Sequence, residues 1–474
     1  MLRQILLCLP AACMFAVSLC GAAERPNIVL ILYDNLGYGD IGCYGSTVHH
    51  TPHVDQLATE GIRFTHFYVS SGVCTPSRAS LMTGCYPRRI GLQRPDNPGM
   101  VLQPVSSKGL HPNEVTIAEV LKESGYATSI IGKWHLGDQP AFLPTRQGFD
   151  EYLGIPYSDD MTPRDGKPWP PLPLLRGEQV LEEGVDRNFL TQRYTAAALE
   201  FIRRPREQPF FLFLSHAMPG STAHAFARPE FQGRSKNGPW GDSVEELDWS
   251  TGEIVRALNE SKLADNTLII WMSDNGAPRR SPPQGSNAPL KGWGYDTSEG
   301  AMRVPCLMRW PGHIPAGRTC DELCTSMDLF PTLAHLAGAE ISKLPPIDGL
   351  DISSVLEGEP SPGLNKRPFF YYFGEQLQAV RLGPWKLYLP LHDRHINARG
   401  ATESHPGELF HLVNDIDEQQ NVIADHPDLV ARMLDLADAA RKDLGDVDHR
   451  GHGERPAGLV RDPQPLRAAT PERP

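Results

Sequence analysis

Positive charge, cysteine and long apolar runs are all scarce in this chain of 474 residues. Its 45 Lys and Arg residues are outnumbered by 57 Asp and Glu residues, which gives a net charge of −12. That balance argues against general nucleic-acid binding, which needs a basic surface. Beyond the N-terminal segment, no run is long and apolar enough to cross a bilayer, so we expect no stable membrane insertion.

The N-terminal segment has the pattern of a secretory signal peptide. Arg3 supplies a positive charge, residues 5–19 are apolar, and Gly21-Ala22-Ala23 is a small-residue cleavage site. We predict that residues 1–23 are removed and that the protein is exported, to the periplasm or as a secreted protein. The alternative is a membrane anchor, but the apolar run is short for a span.

Few cysteines remain after this segment. Cys8, Cys13 and Cys20 leave with it, and those that remain are Cys43, Cys74, Cys85, Cys306, Cys320 and Cys324. Export permits disulfide bonds. Two alternatives are open for the closely spaced Cys320 and Cys324, since they either pair with each other or are simply buried.

Apolar runs alternate with helical patterns over residues 24–365. This alternation predicts an α/β fold with a large mixed, mostly parallel sheet sandwiched by helices. Residues 366–445 differ, because short strands joined by turns precede an amphipathic helix, and they predict a smaller C-terminal α+β domain with a short antiparallel sheet. Residues 446–474 have little to bury and are predicted to be disordered. The proline-rich stretch 159–175 is expected to be a surface loop.

The most informative motif is the run Cys74-Thr75-Pro76-Ser77-Arg78. It opens a segment with the pattern of a short helix closed by a glycine. A helix N-terminus and Arg78 would both favour the thiolate of Cys74, which suggests a nucleophile. The alternative is a buried cysteine beside a proline turn.

Oxygen-bearing side chains follow two of the predicted strands. Asp34 and Asn35 follow the first strand, and Asp274 and Asn275 follow the strand that begins at Thr267. In open α/β sheets, ligands bind beyond the carboxyl ends of the strands. If the two strands are neighbours, four oxygen donors converge, which suits a hard cation such as Ca²⁺ or Mg²⁺. Taken separately, each pair is more often a turn than a ligand set.

A third predicted strand is followed by Lys133 and His135. Residues two apart in an extended segment face the same way. Such a pair could bind an anion and move a proton. The alternative is a surface lysine next to a packed histidine.

Together these motifs resemble the type I sulfatase family of the alkaline phosphatase superfamily. The resemblance runs from about residue 25 to residue 445, and its motifs stand in the family's order. They are Pro26-Asn27-Ile28-Val29-Leu30-Ile31 with Gly37-Tyr38-Gly39-Asp40, residues 74–84, Gly132-Lys133-Trp134-His135-Leu136-Gly137 and Ser273-Asp274-Asn275-Gly276, with residues 385–387 and 408–410 resembling the C-terminal domain.

The resemblance implies a sulfatase that hydrolyses an aryl or carbohydrate sulfate ester. A formylglycine-generating enzyme would convert Cys74 to formylglycine, whose hydrate attacks sulfur. One Ca²⁺ ion would be held at this site, Arg78 and Lys133 would hold charged oxygens, and His135 would take up a proton. The implied metal ligands are Asp34, Asn35, the converted Cys74, Asp274 and Asn275.

Three positions depart from the family's pattern. Asn35 stands where the family usually has a second aspartate, so the metal site loses a negative charge. Gly220 stands where a histidine is usual, and His224 is a candidate replacement. Gly294 stands where a lysine is usual, and Lys291 is either its replacement or an ordinary surface lysine. Both glycines affect the side of the site that faces the leaving alcohol.

Two other functions remain open from the sequence. One is a formylglycine-dependent hydrolase of phosphonate or phosphate esters. The other is a weakly active homologue that binds sulfated polymers without turnover. The intact Cys74, Lys133 and His135 argue against the second, whereas Gly220 and Gly294 keep it open.

Overall fold

The computed structural model describes residues 25–222, 224–281, 284–361, 363–396 and 402–469, so the predicted signal peptide lies outside the described residues. The strands are β1 Asn27–Asp34, β2 Ile62–Phe64, β3 Phe67–Tyr68, β4 Lys108–Gly109, β5 Ala127–Gly132, β6 Glu151–Gly154, β7 Pro173–Arg176, β8 Gln179–Glu183, β9 Phe210–Pro219, β10 Thr267–Ser273, β11 Cys306–Arg309, β12 Arg318–Cys320, β13 Cys324–Thr325, β14 Pro368–Phe373, β15 Gln376–Leu382, β16 Trp385–Tyr388, β17 Leu391–Ile396, β18 Thr402–His405, β19 Glu408–His411, β20 Gly445–Asp446, β21 His449–Arg450 and β22 Gly458–Leu459. The helices are α1 Pro52–Glu60, α2 Cys74–Thr83, α3 Ile117–Glu123, α4 Leu190–Arg203, α5 Gly238–Glu260, α6 Glu299–Met302, α7 Leu329–Leu336, α8 Ser353–Glu357 and α9 Pro427–Leu444.

One large mixed sheet organises the described residues, in the strand order β12-β2-β11-β10-β1-β9-β5-β6-β7-β8. Its centre is parallel, since β1 pairs in parallel with both β10 and β9, and β5 pairs in parallel with β9 and β6. Antiparallel pairs flank this centre on both sides. The predicted mixed, mostly parallel sheet is confirmed.

The central strands are apolar because both of their faces are covered. Alternate residues of β1 enter two separate cores: Leu30 and Leu32 pack into one, and Val29 and Ile31 into the other. Residues of α2, α3 and α7 belong to the first core, and residues of α1, α4 and α5 belong to the second. The sheet is thus sandwiched by helices, and the parallel strands of its centre end at one shared edge.

The C-terminal part has a smaller antiparallel sheet in the order β14-β15-β16-β19, with α9 packed against β15. A buried charged cluster ties this sheet to the rest of the chain. Glu299, the first residue of α6, accepts hydrogen bonds from Tyr371 at 2.8 Å and from Lys386 Nζ at 3.1 Å, and a further one from Tyr68. The predicted α+β character of this part is confirmed.

The segment after Gly445 corrects one sequence prediction. Residues 446–469 were predicted to be disordered, yet β22 pairs with β4, and Arg455 forms an ion pair with Glu114 in which Nε lies 2.7 Å from Oε1. Backbone pairing and charged side chains hold this segment. Contacts of these kinds need no apolar periodicity, so a hydrophobic pattern in the sequence could not reveal them. Residues 470–474 lie outside the described residues.

Two smaller predictions can be compared with the structure. The stretch 159–175 is mostly irregular, but it begins with the fully buried Asp159 and ends inside β7, so it is not simply a surface loop. All six cysteines of the described chain carry free thiols, and Cys320 and Cys324 are both buried. None of the described helices is both long and apolar enough to span a bilayer.

Candidate active site

Helix α2 places Cys74 at the carboxyl edge of the large sheet. Cys74 is the first residue of α2, and every residue of this helix is buried. The helix ends at Gly84, whose φ of 68° lies in the left-handed region that glycine adopts freely. The predicted short helix closed by a glycine is confirmed, and Cys74 itself lies in its first turn.

The two carboxylate-bearing strand ends are neighbours. Tyr33 of β1 pairs with Ser273 of β10, so the chain leaves both strands side by side. The backbone N–H of Asn35 donates to Asp274 Oδ1 at 2.9 Å, and Asn275 Nδ2 donates to Asn35 Oδ1 at 2.6 Å. The adjacency that the sequence left conditional is therefore present.

Two buried cations lie against these carboxylates. Arg78 Nε donates to Asp274 Oδ2 at 2.9 Å, and its Nη2 donates to Asp34 Oδ1 at 3.1 Å. Lys133 Nζ donates to the same Asp34 oxygen at 2.7 Å. Because all of these side chains are almost completely buried, each charge depends on its neighbours rather than on water.

The two carboxyl groups differ in acidity. Burial raises the pKa of Asp34, but Lys133 and Arg78 outweigh burial and hold that pKa below its usual range. Burial and the Asp34 charge raise the pKa of Asp274 to about 7, against the effect of Arg78. Like charges held this close favour a proton or a metal ion between them.

The thiol of Cys74 faces oxygen atoms. Its Sγ lies 3.4 Å from Asp34 Oδ1 and 3.6 Å from Asn35 Oδ1. Burial and the Asp34 carboxylate raise the thiol pKa well above its usual value, even though Lys133 and Arg78 act in the opposite direction. The expectation of a favoured thiolate at Cys74 is therefore wrong, and the unmodified thiol is a poor nucleophile here.

The same cluster has the donors that a divalent cation needs. Ligand atoms of Asp34, Cys74 and Asp274 lie within 4.8 Å of one another. Asp34 Oδ2 and Asn275 Oδ1 are buried and lack a hydrogen-bond partner in the described part of the chain. Buried oxygens of this kind are costly unless they are satisfied. A hard cation such as Ca²⁺, which takes oxygen ligands, would satisfy both.

His135 lies next to this cluster, and one of its two ring nitrogens forms a hydrogen bond. Its Nε2 lies 2.9 Å from the carbonyl oxygen of Leu102, and a carbonyl only accepts, so Nε2 carries the hydrogen. Its Nδ1 is buried and has no partner among the described residues. Burial and the Lys133 charge lower the pKa of His135 well below its usual value. The ring is thus neutral with a free acceptor at Nδ1.

The candidate replacements for the two missing cations lie elsewhere. Lys291 Nζ donates to the carbonyl oxygen of Glu418 at 3.2 Å and lies 4.7 Å from the ring centre of Phe410, in the C-terminal part. His224 is exposed on the segment after β9. Among the described residues, neither side chain forms a hydrogen bond or an ion pair with Asp34, Cys74 or Asp274.

The structure adds polar residues that the sequence reasoning missed. Ser215 Oγ lies 2.6 Å from Arg78 Nη1, and Ser158 Oγ accepts from Lys133 Nζ at 3.3 Å. Tyr295 lies 3.4 Å from Asn35 Nδ2 and 3.1 Å from Ser221 Oγ. Ser215 could have been found from the sequence, because it is the first polar residue after the apolar residues 210–214 of β9. The other three lie in irregular segments, where no sequence pattern points to them.

The fold and this cluster define a class, the hydrolases with an alkaline-phosphatase-like sheet and a polar centre at its carboxyl edge. Comparison with known proteins identifies the family within that class. Residues 26–339 match the family model described as Sulfatase, and residues 291–436 match the one described as N-sulphoglucosamine sulphohydrolase, C-terminal.

Individual relatives agree with this result. The chain is 40% identical to N-acetylgalactosamine-6-sulfatase of Sus scrofa, with 81% of this chain and 75% of the relative covered. It is 42% identical to arylsulfatase A of Homo sapiens, with 77% and 75% covered. The crystal structure of Ps i-CgsB in complex with k-i-k-neocarrahexaose superposes with a TM-score of 0.73 at 30% identity, covering 88% of this chain and 92% of that one. The chain belongs to the type I sulfatase family and is a sulfuric ester hydrolase.

Proposed function

We propose that this chain is an exported sulfatase that hydrolyses aryl or carbohydrate sulfate esters with a formylglycine formed from Cys74 and one bound Ca²⁺. The position of Cys74 carries the proposal. Its Sγ lies 3.4 Å from Asp34 at the start of a buried helix, beside carboxylate and amide oxygens that lack partners in the described chain. Asp34, Asn35, Asp274 and Asn275 would hold the cation together with the converted Cys74.

The modified residue would supply a hydroxyl nucleophile for sulfur, and the cation would supply positive charge beside it. Arg78 and Lys133 would stabilise the negative charge that develops on the sulfate oxygens. Both are almost completely buried, so their charges act through a medium of low dielectric constant. Their contacts with Asp34 hold them in position before the substrate binds.

His135 would accept the proton that must leave the nucleophile side of the site. The Leu102 carbonyl fixes the hydrogen on Nε2, which leaves the Nδ1 lone pair free. The lowered pKa of His135, caused by burial and Lys133, keeps that nitrogen unprotonated at neutral pH.

Burial also bears on how the protein would mature. Cys74, Pro76 and Arg78 are all buried in α2. A formylglycine-generating enzyme could not reach them in the folded protein. Conversion would therefore precede folding, while the chain is being exported.

Peptide mass spectrometry across Cys74 tests the proposal. We expect a lighter peptide that carries an aldehyde, and loss of sulfatase activity in Cys74→Ala. Cys85→Ala is the matched control, since Cys85 is also buried but lies outside the cluster. An active preparation with only unmodified cysteine at this position would contradict the proposal.

Two further assays separate the remaining alternatives. Activity that withstands strong chelation would argue against a bound Ca²⁺. Parallel assays with an aryl sulfate and an aryl phosphonate distinguish a sulfatase from a phosphonate ester hydrolase, and we expect a preference for the sulfate.

A further inference from the structure

His135 has a backbone conformation that the surrounding chain must maintain. Its φ is 65°, in the left-handed region, which a residue with a Cβ keeps only where its surroundings compensate for the strain. Gly132 and Gly137, on either side of it, also have positive φ values, but glycine adopts these freely. The contacts of His135 therefore decide whether its ring stays beside the Asp34 cluster.

Thr75 supplies a contact to the backbone of His135. It follows Cys74 in α2 and is only 2% exposed, so its hydroxyl is shielded from water. Its Oγ1 donates a hydrogen bond to the carbonyl oxygen of His135 at 3.1 Å. On the other side of the same peptide chain, the N–H of His135 donates to the carbonyl oxygen of Pro156 at 3.1 Å. Both backbone polar groups of the strained residue are thus held.

The hydroxyl of Thr75 also reaches the ring of His135 through Leu102. Thr75 Oγ1 accepts a hydrogen bond from the N–H of Leu102 at 3.2 Å, and the carbonyl oxygen of Leu102 accepts one from His135 Nε2 at 2.9 Å. Thr75, Leu102 and His135 therefore form a closed set of three hydrogen bonds. Loss of the hydroxyl would leave a buried donor and a buried acceptor without this partner, which is unfavourable.

We propose that Thr75 is a positioning residue for His135, whose hydroxyl holds the His135 backbone in its left-handed conformation and, through Leu102, keeps the ring hydrogen on Nε2. This inference rests on the role of proton acceptor that the proposed function gives to His135. Because Cys74 and Thr75 are consecutive, the start of α2 would carry the nucleophile and also place the group that takes up its proton.

Two substitutions of Thr75 test the role of its hydroxyl. Thr75→Val removes the hydroxyl and keeps the shape of the side chain, whereas Thr75→Ser keeps the hydroxyl. Because Thr75 lies next to Cys74, formylglycine content is measured by peptide mass spectrometry, and kcat for an aryl sulfate is expressed per converted molecule. We expect kcat to fall about tenfold or more in Thr75→Val, with KM changed less than about twofold, and Thr75→Ser to restore most of it. An unchanged kcat in Thr75→Val, or an equal loss in Thr75→Ser, would overturn the proposal.

His135→Ala shows whether Thr75 acts through His135. Thr75→Val added to His135→Ala should lower kcat by less than about a further twofold, since the group that it positions is already absent. A further tenfold loss would overturn the proposal. If His135→Ala alone left kcat unchanged, His135 would have no part in the mechanism and this inference would fail with it, whereas the formylglycine at Cys74 would still be visible in the mass spectrum.

Thr332→Val is the matched control. Thr332 is 1% exposed, and its Oγ1 also joins two backbone groups, since it donates to the carbonyl oxygen of Asp328 at 2.6 Å and accepts from the N–H of Ile352 at 2.9 Å. Its loss should lower the melting temperature and leave kcat per converted molecule unchanged. A fall in kcat equal to that of Thr75→Val would overturn the proposal, because any buried hydroxyl would then have the same effect.

A second measurement does not depend on conversion of Cys74. Nitrogen NMR of histidine-labelled, unconverted protein reports which ring nitrogen carries the hydrogen, and the signals of His135 are those absent from His135→Ala. We expect a single tautomer with the hydrogen on Nε2 in the unmutated protein and in Thr75→Ser, and a mixture of tautomers in Thr75→Val. The same single tautomer in Thr75→Val would overturn the proposal.

Discussion

The buried ion pair between Lys386 and Glu299 holds the C-terminal sheet against the rest of the chain. Lys386 Nζ lies 3.1 Å from Glu299 Oε1 and 3.5 Å from Glu418 Oε1, and all three side chains are fully buried. Lys386→Met keeps an unbranched apolar chain but removes the ammonium group. Glu299 and Glu418 would then remain buried without the cation between them.

The acidity of Glu299 gives the sign of the effect, and the usual cost of breaking a buried ion pair gives its size. Burial raises its pKa, but Lys386, Arg381 and Arg303 outweigh burial and lower the pKa from 4.5 to about 2. A shift of that size corresponds to about 3 kcal/mol, and it is shared among the three cations rather than due to Lys386 alone. Removing one partner of a buried ion pair typically costs about 3–5 kcal/mol. We therefore expect Lys386→Met to lower the free energy of unfolding by about 3 kcal/mol at pH 7.

The pH dependence has a definite sign. Because the folded-state pKa of Glu299 lies below its unfolded value, its ionised form stabilises the fold above about pH 4.5. This contribution is lost as the pH falls towards about 2. In Lys386→Met, much of this stabilising contribution of ionised Glu299 is absent at every pH. The difference between the variant and the unmutated protein should therefore be largest near pH 7 and shrink below about pH 4.5.

Equilibrium urea unfolding at pH 7 and pH 3, followed by tryptophan fluorescence, measures this difference. A double-mutant cycle with Glu299→Gln should give a coupling energy above about 1 kcal/mol. Lys122→Met is the matched control, since the exposed pair of Lys122 with Asp150 should contribute less than about 1 kcal/mol. An effect of Lys386→Met below about 0.5 kcal/mol, or one equal at both pH values, would refute the reasoning.

Three further predictions concern the site and the C-terminal segment. Gly220→His should lower stability by about 1–3 kcal/mol without raising kcat, because Gly220 has a φ of 76° and a Cβ there would lie 2.8 Å from Asp159 Oδ1. Gly166→His is the control, since Gly166 has a similar φ of 72° but open space around it. Comparing the melting temperatures of the two variants separates the effect of backbone strain from that of the close contact. Chelation should lower the melting temperature and added Ca²⁺ should restore it, because without the ion the carboxylates of Asp34 and Asp274 would face each other. Equal melting curves with and without chelator would count against a Ca²⁺ site at these residues. Arg455→Ala should speed proteolytic cleavage within residues 446–469, because it breaks the 2.7 Å pair with Glu114. An unchanged cleavage rate would show that the other contacts of the segment, such as β22 and the pair of Arg467 with Glu183, are sufficient to hold it.

The sequence was sufficient for features that depend on local patterns. The apolar runs of β1 and β10 are buried on both faces, so their hydrophobicity is continuous and predicts strands directly. It could not show that these strands are neighbours, because pairing depends on the order of the whole sheet. The same limit applies to the segment after Gly445, where Arg455 pairs with Glu114, a residue more than 300 positions away in the sequence.

Acidity was the property that the sequence predicted least well. A helix start and Arg78 do favour a thiolate at Cys74, but the outcome is set by burial and by Asp34, which comes from a distant strand. The positions of Lys291 and His224 show a related limit. Lys291 is close to Gly294 in sequence, but this did not predict a position at the Asp34 cluster, because its side chain lies against the C-terminal part.

Gly294 lies where two backbone segments pack closely against each other. A Cβ at Gly294 would lie 2.4 Å from the carbonyl oxygen of Gly276, and the N–H of Gly294 donates to Ala277 at 2.8 Å. The chain therefore packs directly against the segment that carries Asp274 and Asn275. This close packing positions the next residue, Tyr295, beside Asn35. Any larger side chain at residue 294 would have to displace this backbone, so a lysine there would disturb both the segment that carries Asp274 and Asn275 and the tyrosine whose hydroxyl lies 3.4 Å from Asn35 Nδ2.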